Sequence, residues 1–288
     1  MRKSIGVFIA ILMTSVVFAQ QSANRFFYEL TFKPKKAEEK REKIMTALDI
    51  TTEKSIYEDF TIRAQDSIIK QEVEQMTKTG VFKDLMKTIT MPKFTYKVVK
   101  KYPSMEVSVQ DNISNKRFSY QSPTKLNWKV ESEKTKIGAY AVQKATTDFG
   151  GRQWTAWFTM DIPFQDGPYK FHGLPGLIVK IEDSKKEYSW ELKGNENIAK
   201  WEELSYTQKM QSRFGMSTSV VEITKEKFDK AYANFKADPL GEFRAYMTPE
   251  LMKQPLPGTD KTVGDMIKDQ EKMAKDFFAA VDNPIEIE

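Results

Sequence analysis

From Phe94 to Lys193 apolar residues recur at every second position, and no helical stretch interrupts them. Successive side chains of a β-strand point to opposite faces, so this pattern predicts strands with one buried face. Tyr96 and Val98 open the series, Met105, Val107 and Val109 follow Pro103, and Leu126, Trp128 and Val130 share the next face. Tyr140 to Phe149 runs into Gly150-Gly151, a pair suited to a hairpin turn. Beyond it Trp154, Ala156, Phe158 and Met160 alternate against Thr155, Trp157 and Thr159. After a turn at Asp183 to Lys186, Tyr188, Trp190 and Leu192 line one face of a return strand. Short strands in sequence, joined by tight turns without crossover helices, predict an antiparallel meander.

One corner of this meander is specified residue by residue. Asp161 to Gly176 reads as a long loop ending in Leu174-Pro175-Gly176-Leu177. Proline presets φ for the first central position of a type II turn, and glycine tolerates the positive φ of the second. Leu177, Val179 and Ile181 are then expected on one face of the outgoing strand, and Ile178, Lys180 and Glu182 on the other. Gly173, Leu174, Pro175, Gly176, Leu177 and Ile178 read first as a structural corner, with a binding loop as the second reading.

The flanks are mixed. Phe27 to Phe32 predicts a first strand, Lys33 to Lys43 a solvated charged loop, and Ile44–Ile50 with Lys54–Phe60 a strand pair. Ile62 to Met76 has helical spacing up to Gly80, and Val81, Phe82, Leu85, Met86 and Ile89 suggest a further short helix. Thr224 can cap a helix carrying Phe228, Ala231, Tyr232 and Phe235 on one stripe, stopped by Asp238-Pro239. Val263, Met266, Ile267, Ala274, Phe277, Phe278 and Val281 form a second stripe. The expected fold is mainly β (α+β). It is a curved antiparallel meander or open half-barrel, with helices packed on it that include a helical C-terminal region. The expected segments are a signal peptide at 1–19, a β domain at 20–200 with a helical insertion near 62–89, and a helical extension at 201–288.

Arg2-Lys3 followed by the apolar run Ile5 to Phe18 and Val17-Phe18-Ala19 has the form of an export signal cleaved after Ala19. The expected location is periplasmic or secreted, with no transmembrane segment in the mature chain. The 288 residues contain no cysteine, which removes disulfides, thiolate metal sites and lipid attachment at cysteine. A net charge of +5 with acidic residues interspersed describes a solvated surface open at most to weak attraction by anionic lipid or envelope polymer. No nucleic-acid recognition module is visible, so no nucleic-acid partner is expected.

The inventory for chemistry is thin. His172 is the only histidine, so no two-histidine metal centre is possible, and no Gly-x-Ser-x-Gly elbow occurs. Asp148-Phe149-Gly150 matches a kinase tripeptide in a hairpin context, without the other kinase motifs. Asp166-Gly167-Pro168 suits a turn. Trp154, Trp157, Phe158 and Tyr188 are the candidates to line an apolar ligand cavity, sheet-face packing being their other reading.

Several stretches together resemble the GLPGLI family of secreted or periplasmic Bacteroidota proteins. They are Gln143 to Thr147, Gly151-Arg152, Thr155 to Thr159, Asp161-Ile162-Pro163, Gly167-Pro168 and Phe171-x-Gly-Leu-Pro-Gly-Leu-Ile. The likeness is specific over Lys125 to Asp183, looser over Asn24 to Ser122 and weak past Gly194. It implies a lineage and a compartment, with no established activity and no cofactor. Family members often carry a cysteine before the Gln-Lys-Ala, where this chain has Val142. The leading expectation is a non-enzymatic envelope protein that binds an apolar ligand or a protein partner. One alternative is a hydrolase of envelope polymer using Asp161, Asp166 or Glu182 with His172, for which two carboxylates across a cleft would suffice. Another is a structural subunit of an outer-membrane uptake assembly, which would expose a broad apolar patch.

Overall fold

The computed structural model describes residues 21–81, 83, 85, 90–114, 116–213, 219–256 and 260–288. The expected cleavage after Ala19 and the helical positions Phe82, Met86 and Ile89 lie outside the described residues.

Two runs of hairpins build the sheet. The first comprises β1 (Ala23–Phe32), β2 (Glu42–Ile50), β3 (Lys54–Asp59), β4 (Lys97–Lys101), β5 (Glu106–Ile113) and β6 (Lys116–Gln121). The second comprises β7 (Lys129–Ile137), β8 (Tyr140–Phe149), β9 (Arg152–Thr159), β10 (Leu177–Asp183) and β11 (Tyr188–Ile198). Each strand pairs antiparallel with its sequence neighbours inside its run, and β1 pairs antiparallel with β11 to join the runs. The sheet is not purely antiparallel as expected. A short β12 (Val220–Glu222) from the C-terminal region adds to β6 in parallel, giving a mixed, unclosed sheet of twelve strands among the described residues.

β6, β7 and β12 are strands that the alternation does not foretell. Leu126 and Trp128 lie before β7 rather than on it, and Val130 is 47% exposed. β7 is the sheet's edge and is mostly exposed, with the sequence KVESEKTKI. Charge on an edge strand blocks pairing with other chains, which removes the apolar alternation that marks an inner strand. Met160 falls beyond β9 and is exposed.

After β3 come α1 (Thr61–Ala64) and α2 (Asp66–Thr79), which Gly80 closes at φ 69°. After β11 come α3 (Tyr206–Arg213), α4 (Lys225–Ala237), a 3₁₀ turn at Gly241–Tyr246, α5 (Pro249–Met252) and α6 (Val263–Ala279). Thr224 caps α4 by accepting from Lys227 N–H. Thr262 and Asp265 form a reciprocal capping box at α6. Phe228 of α4 lies 4.8 Å from the Tyr120 ring on β6, while Tyr232 and Phe235 meet Phe278 of α6. The C-terminal helices thus stand on the β5–β6 part of the sheet.

The main core lies on one sheet face. Phe26, Tyr28, Leu30 and Phe32 of β1 point there, as do Tyr57, Trp154, Ala156, Phe158, Tyr188 and Trp190. Trp190 Nε1–H donates to the Tyr57 hydroxyl at 2.8 Å, across two intervening strands. On the opposite face Ala23, Ile56, Val99 and Trp201 form a smaller cluster. Beside it Glu58 takes Arg63 at 2.6 Å and Lys97 at 2.8 Å.

Two local expectations are corrected. The register of β10 on β9 shifts between Ile178 and Lys180, so Leu177, Ile178, Val179 and Ile181 are all buried instead of alternating. The proline corner is not a type II turn. Gly176 N–H bonds to Leu174 O at 2.8 Å, a three-residue turn about Pro175, and Leu177 N–H goes to Ile162 O instead.

Candidate functional site

The loop between β9 and β10 runs back across the main face of the sheet. Most loops travel over a surface because their backbone groups need partners. This one is buried from Asp166 to His172, and a single side chain answers much of that need. Lys100 of β4, 0% exposed, donates to the carbonyls of Gly167 at 2.6 Å and Tyr169 at 3.0 Å, and pairs with Asp166 at 2.5 Å. Tyr102 donates its hydroxyl to the same carboxylate, and Gly167 N–H bonds to it at 2.7 Å. Trp128 Nε1–H donates to His172 O, and Tyr28 O–H to Ile178 O. Burial lowers the Lys100 pKa, an effect opposed by the Asp166 charge.

The sequence-derived candidates therefore separate. Trp154, Phe158 and Tyr188 are buried core residues, and the Trp154 ring packs 4.8 Å from Phe171 of the loop and 5.9 Å from Trp190. Trp157 alternates to the other face of β9, where Lys144 sits 6.0 Å above its ring. Of these four residues only Tyr188 touches the cavity described below. In the hexapeptide, Leu174, Gly176, Leu177 and Ile178 are buried, while Gly173 and Pro175 are exposed. The residues proposed for hydrolysis do not come together at that cavity. Asp166 is locked to Lys100, Asp161 is exposed, and Glu182 pairs with Lys180 at 3.1 Å. His172 donates Nδ1–H to Lys170 O, and burial and the Lys100 charge lower its pKa.

A cavity of about 340 Å³ opens beside the loop, between the β4–β6 part of the sheet and helices α4 and α6. Tyr96, just before β4, and Tyr120 of β6 form its floor, with Tyr169 of the loop, Tyr232 of α4 and Phe278 of α6 around it. The Tyr96 hydroxyl is buried and has no hydrogen-bond partner among the described residues. Desolvation holds its pKa well above the usual value, so it remains an O–H donor. Asp111 of β5 also lines the cavity, and burial raises its pKa from 3.8 to about 6, against hydrogen bonds from Thr95 and the Asn112 N–H.

Four lysines and three carboxylates share this lining: Lys93, Lys170, Lys225 and Lys236 against Asp111, Glu286 and Glu288. Lys170 is buried and reaches Glu286 at 2.5 Å and the Ser122 hydroxyl at 2.8 Å. Tyr169 also donates to Glu286. At the rim Lys225 lies 5.8 Å from the Tyr120 ring and Lys236 5.8 Å from the Tyr232 ring.

Glu286 arrives on an anchored segment. Arg152 of β9 donates to Ile285 O, Pro284 O and the Asn283 side chain, each at 2.9 Å, and is itself held by Asp183 and Glu187. Ile287 N–H bonds to Gly150 O. A Cβ on Gly150 would lie 2.7 Å from Glu286, and one on Gly151 would lie 2.7 Å from Ile287. The glycine pair thus makes the hairpin turn at positive φ and also leaves room for residues 286–288.

Sequence reasoning missed Tyr96, Asp111, Lys170 and Glu286 as a group. One signal was available: Asp111 shares its face with Val107 and Val109, and Lys100 with Val98. A charge at a position whose strand neighbours are core residues needs a partner or a purpose.

No curated protein matches the chain. Two solved structures of PNGF-II are similar to it. A C2 crystal form has 19% identity and a TM-score of 0.47, covering 73% of this chain and 32% of that one. A second crystal form has 17% identity and a TM-score of 0.46, covering 73% and 33%. The chain spans about a third of the length of those structures. Residues 150–180 match a family described as "Protein of unknown function (Porph_ging)". That stretch holds Gly150, Gly151 and Arg152, which seat residues 283–288, and the whole loop from Asp161 to Gly176 that Lys100 pins to the sheet.

Proposed function

We propose that the chain is a non-enzymatic binding module of the cell envelope that holds a small amphipathic ligand between the β4–β6 sheet and helices α4 and α6. The observation that carries this reading is the Tyr96 hydroxyl, a buried donor without a partner among the described residues, on a residue that lines a cavity of aromatic and charged side chains. Leaving such a group unsatisfied costs about 1–3 kcal/mol, which a ligand oxygen would recover once a small turn of the ring brings the hydroxyl to the cavity surface. The volume of about 340 Å³ lies within the range of small-molecule sites. The curled half-barrel expected from the alternation belongs to the same reading, since a curled face leaves space under helices that cover only one end of it. The hydrolase alternative has less support, because Asp161, Asp166, Glu182 and His172 are absent from the lining. The uptake-subunit alternative expects one broad apolar patch. The exposed large apolar residues include Met45 on β2, Val130 on β7, Phe243 in the 3₁₀ turn and Met273 on α6, and so are spread over several elements.

The test is a fluorescence titration with anilinonaphthalene sulfonate, a probe with an aromatic body and one anionic group. The folded protein is expected to bind it saturably, and Val281→Trp, which fills the cavity from its lip, to weaken binding at least tenfold with little change in melting temperature. Absence of saturable binding, or equal binding by Val281→Trp, would refute the reading.

A further inference from the structure

Lys170 presents an unusual balance of charge. Its ammonium is buried and burial lowers its pKa, while Glu286 opposes that shift. The carboxylate that compensates it is not part of the sheet or the loop. It comes from a segment anchored at Asn283, Pro284 and Ile285 by Arg152 and at Ile287 by Gly150. None of those anchors uses the Glu286 side chain, which is 27% exposed against 3% for Lys170. A side-chain rotation can therefore move the Glu286 carboxylate out to water while the backbone on either side stays bonded. Its two donors, the Tyr169 hydroxyl and the Lys170 ammonium, would remain in the cavity wall.

We propose that Glu286 is an internal stand-in for the acid group of the ligand, and that the ligand class is an aromatic carboxylate. This inference rests on the reading of the cavity as a ligand site. A buried ammonium left without an anion is strongly destabilising, so Lys170 releases Glu286 readily only to another anion. The exchange of one carboxylate for another keeps the same donors satisfied, and ring-lined walls at Tyr96, Tyr120, Tyr232 and Phe278 suit a flat apolar body. A neutral molecule of the same shape cannot make the exchange and is confined to the space Glu286 leaves. Because Glu286 is tethered, it competes at a high effective concentration, and the native protein binds acids more weakly than its cavity would allow.

The experiment compares naphthoate with its neutral analogue naphthylmethanol by calorimetric titration at neutral pH. The proteins are the native chain, Glu286→Gln, and the double variant Glu286→Gln with Lys170→Gln. Gln at 286 keeps an acceptor for Tyr169 but leaves the Lys170 ammonium without an anion until an acid binds, while the double variant removes both charges together. Glu286→Gln is expected to bind naphthoate at least tenfold more tightly than the native chain and naphthylmethanol within threefold of it. The double variant is expected to lose the preference for the acid. If the alcohol binds and Glu286→Gln leaves the naphthoate affinity unchanged, the cavity is a ligand site but Glu286 is no stand-in. If Glu286→Gln tightens both compounds equally, Glu286 acts only as a steric plug and the acid class is wrong. If neither compound binds any of the three proteins, the cavity reading itself fails.

Discussion

Gly176 illustrates how a residue can be required for a reason other than the one its turn motif suggests. Its φ of 152° lies where L side chains are rarely found, and a Cβ there would sit 2.0 Å from Thr159 O, a backbone atom that cannot step aside. Gly176→Ala is expected to cost roughly 3–5 kcal/mol, combining backbone strain with overpacking. Gly173 has φ 89° but open space around its Cβ position, so Gly173→Ala should cost only about 1–2 kcal/mol. Urea denaturation of the two variants measures the difference, and equal losses would mean that close approach plays no part. Asp111 supplies a pH-dependent counterpart. Its folded pKa of about 6 stands above the ordinary 3.8, so between those values the folded chain holds the proton more tightly than the unfolded one. Stability from this group is therefore full below pH 4 and declines as pH rises through 6, by on the order of 2–3 kcal/mol. Asp111→Asn should accordingly be more stable than the native chain at pH 8, with the difference shrinking toward pH 4 in a series of melting curves. A difference that grows on acidification would contradict the buried-carboxylate account. Neither residue was fully legible from its neighbours in sequence. Pro175-Gly176 marked the glycine as a corner, but the atom it must avoid belongs to Thr159, which only the folded sheet brings close.

At the scale of elements, the alternation in β1, β8 and β9 translated directly into strands because each has one face on the core. It failed where that condition fails. β7 is an exposed edge with no buried face to encode, and β12 has three residues, all exposed. It also misled in β10, where a bulge lets both parities enter the core. Trp154, Phe158 and Tyr188 were visible as face residues, yet a periodicity cannot say whether a face meets a ligand or another part of the chain. Here it meets the β9–β10 loop. The aromatic side chains of that loop, Tyr169 and Phe171, pack on Trp190 at 6.2 and 6.0 Å. What keeps the loop in place is the buried Lys100, so Lys100→Met should destabilise the protein by about 3–5 kcal/mol through the stranded Asp166 charge. Lys100→Met with Asp166→Asn should recover only part of that loss, since the carbonyls of Gly167 and Tyr169 remain without their donor. Full recovery in chemical denaturation would show that the charge, and not the carbonyls, is what the lysine serves.

For the whole molecule, the decisive feature is the seam between β1 and β11. Among the described residues every other antiparallel pair joins strands that follow one another in sequence, and all but β3–β4 and β9–β10 are joined by short connections that let them form as local hairpins. The seam instead matches Ala23 with Ile198 and Phe32 with Tyr188. Whether from a ribosome or from a translocation channel, the chain emerges N-terminal end first, so β1 can meet β2 early while its second edge waits for β11. During that interval Phe26, Tyr28, Leu30 and Phe32 belong to a strand with an open row of backbone donors and acceptors, the kind of edge that recruits foreign strands. Closing a loop that long is slow compared with forming a hairpin. The emerging chain thus passes through a stage in which a strand with four core-facing apolar residues is half zipped. Until β11 arrives, the native partner of that edge is missing, and the sheet is most open to pairing with other chains there.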